Sequence, residues 1–368
     1  MIRKLRFVLL MLCTTITLSG TSFASSNTTQ IKVSTTPLNY SHVRPQSDGA
    51  FHDGLLFAEQ SNGALVYYNT KGKLAFTLPT NVKPISDFFE QRALVRNIDT
   101  NRYGYINTSG KIAIPCTYEE AGYFSEGIAH VSMANSNEAF IDRSGTIVTN
   151  LKQTYSSEYS FSDGLALAYA PRGNKIGFIN TAGELAISYK YTYARGFSEG
   201  LSVVQNSEGL YGYVDTTGKQ IIPFQYKSAG DYSEGWAPVQ NTKGKWGFVN
   251  KKGKVVIPFK YHNAGGFSEG LATVYNASGH VGFINTKGTL VIGYQKYNRA
   301  FPFKEGFALV GVATKSDPSG KFGYIDRQGK LLTKLAYQSA SSSFNNGYAV
   351  ALKDLGTGFI LTKRPLSP

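Results

Sequence analysis

A chain of 368 residues, 42% of them hydrophobic, is long enough to bury a sizeable core, and by length alone it would divide into two or three domains. Its formal charge of +14, from 38 basic and 24 acidic side chains, favours anionic neighbours and carries no information about fold. Two cysteines exclude a disulfide-stapled scaffold, while 39 glycines beside 24 tyrosines and 23 phenylalanines point to an all-β chain rich in tight turns.

Residues 1–24 read as a secretory signal peptide. Arg3, Lys4 and Arg6 form a positive start, Phe7 to Leu18 an apolar stretch, and Ser22-Phe23-Ala24 a small-x-small site with cleavage expected after Ala24. The apolar stretch is too short to span a bilayer comfortably, so no transmembrane segment is expected in the mature chain. The expected location is therefore secreted or extracytoplasmic, in the cell envelope. Cleavage removes three basic side chains, leaving 35 basic against 24 acidic, a formal +11. Cys13 follows Leu10-Met11-Leu12, not the small residues that a lipidation site wants. Cys116 would then be the one cysteine left, in a position held by Phe224 and Phe259 elsewhere, which suits a small packing side chain.

Residues 25–50 form a polar leader with one strand-like segment, Ile31-Lys32-Val33, that resembles Val255-Val256-Ile257 detached from any unit. From Phe51 to the end at residue 368 the chain repeats itself. Aromatic anchors at Phe51, Phe88, Phe124, Phe161, Phe197, Tyr232, Phe267, Phe303 and Phe344 lie 37, 36, 37, 36, 35, 35, 36 and 41 residues apart. A period in this range marks a stacked or circular repeat architecture. Each unit reads as three short strands, as in Leu271 to Tyr275, Val281 to Asn285 and Lys254 to Ile257, the last closed by a proline such as Pro258. Asn or Asp stands three residues before Gly in every complete unit, for example Asn250 and Gly253. The Asx side chain opens a type I turn and the glycine supplies the positive φ, which makes a bulged hairpin. Thr314 to Gly320 inserts five residues, and the last unit stops after its second strand.

About 36 residues cannot close a core alone, so each unit must lean on the next. The expected fold is all-β: nine tandem three-stranded β-meander repeats in an open solenoid-like array. The alternative is a closed β-propeller in which the N-terminal strand completes the last unit.

Lys245-Trp246-Gly247, with Phe267-Ser268-Glu269-Gly270-Leu271-Ala272 and Val256-Ile257-Pro258 to Tyr261, resembles the bacterial WG-repeat (KWG) family over roughly residues 51–361. The resemblance implies a β-strand repeat of largely uncharacterised biochemical role, often on exported bacterial proteins. Copy number varies in that family, which favours an open array over a ring of fixed size.

Chemistry is sparse. Glu126, Asp163, Glu199, Glu234, Glu269 and Glu305 recur at one phase, whereas catalysis needs a singular, asymmetric acid and base, so a turn-stabilising role is expected. The five histidines fall at different phases with no metal-ligand spacing, and no nucleophile elbow or phosphate loop is present. No catalytic residue, cofactor or metal is therefore assigned. The candidate ligand contacts are Lys73, Lys111, Lys219, Lys254 and Lys330, one basic row after the turn glycines, together with Trp236 and Trp246. The reading is a non-enzymatic binding or scaffold module. Its candidate partners are an anionic cell-surface polymer, a glycan or a protein; export makes nucleic acid a poor one. A glycan-active or other hydrolase on a propeller-like frame and a structural spacer without ligand are the alternatives.

Overall fold

The computed structural model describes residues 30–34, 38–39, 50–60, 62–134, 137–151, 160–341, 343–354 and 357–364. The signal peptide, its cleavage point, Cys13 and most of the leader lie outside the described residues.

Among the described residues nine antiparallel sheets, or blades, follow one another along the chain. In blade 6 the strands Ser228–Ala229, Trp236–Gln240, Trp246–Asn250 and Val255–Tyr261 pair in sequence order. The two middle strands are buried through their centres on both faces, whereas Val255–Tyr261 alternates buried with exposed positions and forms the outer edge. The two-residue strand at the opposite edge belongs to what the sequence offered only as a link. Two residues carry no periodicity, so nothing local announces it.

The Asx–Gly hairpin forms as its residues dictate. The Asn250 side-chain oxygen accepts from the N–H groups of Lys252 and Lys254, both at 3.0 Å, and Gly253 takes φ +75°. The expected proline stop is different: the outer strand runs through Pro258 to Tyr261, which pairs with Trp246. An edge strand has a side free of partners, so a missing N–H there interrupts no ladder.

The Ser-Glu-Gly element is a two-residue hairpin turn with a second duty. Ser198 and Leu201 exchange backbone hydrogen bonds of 2.9 and 3.2 Å around Glu199 at φ 55° and Gly200 at φ 83°. Both angles positive make a type I′ turn, for which Asn-Gly is the favoured pair. Glutamate in this left-handed region costs about 1 kcal/mol. Its reach offsets that: the Glu199 carboxylate accepts from the N–H of Gly235, in the next blade, at 3.0 Å. Glu90, Glu126, Asp163, Glu234, Glu269 and Glu305 likewise hold Gly127, Gly164, Gly200, Gly270, Gly306 and Gly347, and Asp53 holds Gln91. These acids clasp blade to blade rather than merely shaping their own turns. Glu199→Ala is expected to lower stability by about 1 kcal/mol, and Glu199→Gln, which keeps an acceptor, by less than half of that. Equal losses in thermal melts of the two variants would refute the clasp.

Nine apolar clusters each join two successive blades among the described residues. Eight interfaces would suffice for an open row; the ninth sets Phe51, Leu56 and Tyr68 of blade 1 against Val350 and Ile360 of blade 9. The chain is thus a closed nine-bladed ring, and the preference for an open array is corrected. Two further contacts seal it. Gln30–Val33 lies antiparallel on Thr357–Arg364, with Ile31 opposite Lys363 and Val33 opposite Leu361. The Asn345 amide donates to Phe51 O at 2.6 Å, repeating across the seam the bond from Ser233 to Phe267 O elsewhere. Among the described residues no strand after Arg364 pairs with that edge, and the N-terminal strand takes the outer place in blade 9.

Candidate functional site

Strand direction sorts every connection onto one of two faces. The Glu–Gly and Asx–Gly turns share the turn face. The loops inside each blade, between its second and third strands, and the links from blade to blade share the opposite, link face.

Lys73, Lys111, Lys219, Lys254 and Lys330 are exposed on the turn face, each directly after a turn glycine and so spaced around the outer rim. They do not stand in an empty field. The clasp carboxylates occupy the same face, where Lys251 lies 3.1 Å from Glu199 and Arg327 3.4 Å from Glu269. Cations and anions interleave there.

The two tryptophans part company. Trp236 begins the second strand of blade 6 at the turn face, its ring 6.3 Å from that of Phe267. Trp246 begins the third strand at the link face, opposite Tyr261. Both are half-buried against one cluster between blades 6 and 7, and therefore serve packing first. The seven candidates do not converge on one site.

The link face holds residues that the sequence reading passed over. Tyr118, Tyr191, Tyr226, Tyr261, Tyr297 and Tyr337 end or follow the outer strands at one phase, all buried or half-buried. Burial, with the Asp215 carboxylate adding to it, pushes the Tyr191 hydroxyl up to about 12, so that ring stays neutral. The ammonium groups of Lys190 and Lys260 lie over the neighbouring Tyr191 and Tyr261 rings at 5.3 and 5.2 Å. At the inner edge, Arg195 Nε donates to the Tyr193 hydroxyl at 2.8 Å and its terminal nitrogen meets Asp231 at 3.1 Å. The phase of these tyrosines was visible in the sequence; their common face was not.

The remaining titratable groups are dispersed. His130 Nε2 lies 3.2 Å from Glu138, and burial lowers its pKa against the pull of that carboxylate. Cys116 packs against the cluster between blades 1 and 2, and burial pushes its thiol up, away from reactivity. Among the described residues no three His, Cys, Asp or Glu side chains are grouped as a metal ion would require.

A family model described as "WG containing repeat" matches residues 103–135, 176–209, 211–246, 246–276, 282–312 and 322–354, more than half of the chain. The chain belongs to this family. No curated protein matches it in sequence. Among solved structures it is similar to the crystal structure of a eukaryotic initiation factor, at TM-score 0.58 and 11% identity over 90% of this chain and 94% of that one. BamB from Moraxella catarrhalis aligns at TM-score 0.46 and 11% identity, covering 90% and 97% of the two chains. The C-terminal WD40 domain of Sif2 aligns at 0.42 and 10%, covering 90% and 98%. The first of these likenesses is one of fold alone.

The matched WG repeats begin at or beside the third strand of a blade and run into the next blade. Most begin where Gly follows Tyr103, Ile176, Tyr211, Trp246 or Phe322. The segments at Val66-Tyr67 and Glu138-Ala139, which lack that glycine, go unmatched. The glycine is therefore the fixed half of the WG pair in this chain, and the aromatic the variable half.

Proposed function

We propose that this WG-repeat propeller is an exported, non-catalytic binding scaffold of the cell envelope, offering its surface to an anionic polymer, a glycan or a protein. One observation carries this reading. The repeated carboxylates, the chain's best candidates for acid–base chemistry, are engaged on backbone N–H groups of the following blade. What remains exposed differs from blade to blade, as suits recognition over an extended surface. Export rests on the Arg3–Ala24 leader and +11 on the processed chain.

The test is retention on envelope fractions. Purified processed protein is expected to sediment with those fractions at low salt. Release at high salt would assign the contact to charge, and release by soluble sugars to the aromatics. No retention under either condition would overturn the binding reading and leave a spacer. Intact mass of the exported protein should begin after Ala24.

A further inference from the structure

The positive charge of the ring is not spread over it. On the link face of blades 4 to 8 the intrablade loops, the interblade links and the strand ends within two residues of them carry twelve Lys or Arg and two acidic side chains, Glu208 and Asp317. The same connections and strand ends in blades 1 to 3 carry three basic and five acidic side chains among the described residues. On the turn face the two signs nearly balance. The charge excess of the molecule is thus gathered in one crescent.

Its partners within the fold are few. Arg102 pairs with Glu119 at 2.7 Å and His130 lies 3.2 Å from Glu138 in the other sector, and Arg195 with Asp231 at 3.1 Å stands at the inner edge of the crescent. Asp317 is turned into its own loop, accepting from Ser319 Oγ and Gly320 N. The outer-strand ends and links contribute Lys190, Lys227, Lys260, Lys296 and Lys334, one exposed lysine per blade and so an arc of cations. Thr314 to Gly320, the insertion in blade 8, stands at one end of that arc. Arg299 fastens it there by donating to Pro318 O at 2.7 Å and Ser319 O at 3.2 Å.

Aromatic surface accompanies the charge. Tyr169, Tyr193 and Tyr294, exposed at 40, 37 and 38%, all lie on this face in blades 4, 5 and 7. Ten of the twelve cations are lysines, compact point charges rather than the planar forks that grip a single carboxylate or phosphate. Such a surface suits many anionic groups strung along a chain, with flat sugar faces between them for the tyrosines.

We propose that this crescent, and not the lysine row of the turn face, is the contact surface of the scaffold, and that its occupant is an anionic glycan polymer. The proposal rests on the binding reading above. The polymer follows the arc from blade 4 to blade 8, its phosphate or carboxylate groups meeting the link lysines.

Two triple variants of the full processed chain test this at equal change of net charge. One is Lys190→Glu, Lys227→Glu, Lys260→Glu on the crescent; the other is Lys73→Glu, Lys219→Glu, Lys254→Glu on the rim. Affinity for a glucosylated poly(glycerol phosphate) teichoic acid and for polygalacturonate is measured across a salt series, with unchanged melting as the check on folding. The crescent triple is expected to bind at least tenfold more weakly, with a shallower dependence on salt, and the rim triple within threefold of the parent. Preference for one polymer distinguishes phosphate from carboxylate as the recognised group. Equal losses in both triples would overturn the proposal in favour of net charge alone. Tighter binding to phosphatidylglycerol vesicles or to duplex DNA than to either polymer would overturn the occupant. If the parent is retained on envelope fractions yet binds neither polymer, the scaffold reading survives and this inference fails.

Discussion

Valine in place of Gly247 is expected to destabilise the ring by about 3 kcal/mol or more, and alanine by nearly as much. The cause is a backbone, not a side chain. Trp246 pairs with Tyr261 and Phe248 with Ile257, so two residues along the third strand face four along the outer one. The surplus, Pro258 to Lys260, arches over Gly247. A Cβ there would stand 2.6 Å from Ile257 O and 3.0 Å from Phe259 N, distances that no rotamer change relieves. Gly104 and Gly212 sit under the same arch, each 2.6 Å from a carbonyl oxygen, of Ile114 and Ile222. This is why the aromatic of the WG pair drifts to Tyr, Phe or Ile while its glycine persists through the matched units. Gly235 is the control: it has φ +83° with nothing within 4 Å of a built Cβ. Gly235→Ala should cost only the left-handed penalty, about 1 kcal/mol. Thermal melts in which Gly247→Ala falls no further than Gly235→Ala would remove the arch as the reason for the motif.

What could be read from the sequence divides by distance along the chain. The Asn250–Gly253 hairpin is local: its acceptor, its donors and its positive-φ glycine lie within five residues, and the structure forms it as read. The Glu199 clasp spans 36 residues, and its glutamate resembles any turn acid until the next blade is in place. The same limit explains Pro258. It reads locally as a strand stop, and the strand beyond it became visible only through Tyr261 pairing back to Trp246. For the candidate site, phase alone placed Lys254 and its equivalents in one row, each directly after a turn glycine. Phase is blind to what else shares a face. The acids beside the row and the crescent across the ring, where Lys190 and Lys315 stand on one face although 125 residues apart in sequence, emerge only from strand direction.

Ring closure by the N-terminal strand yields the second large effect. Ile31 and Val33 are half-buried against the cluster between blades 8 and 9, whereas Lys32 between them is exposed. Ile31→Asp with Val33→Asp puts two carboxylates where apolar surface is covered, and is expected to detach the strand at a cost of about 3 kcal/mol. Detachment uncovers the edge of Thr357–Arg364, a row of unpaired backbone donors and acceptors that recruits another strand. The double variant should therefore melt earlier, be cleaved first near residues 343–364, and self-associate in a concentration-dependent way by light scattering. Lys32→Asp changes charge at the same strand without touching the cluster and should remain within about 0.5 kcal/mol of the parent. A peptide spanning residues 25–40, added in excess, should restore the monomer by pairing in trans, as strand addition to a free edge does elsewhere. A double variant that melts with the parent and stays monomeric would show that the blade 1–blade 9 cluster and the Asn345–Phe51 bond hold the seam unaided.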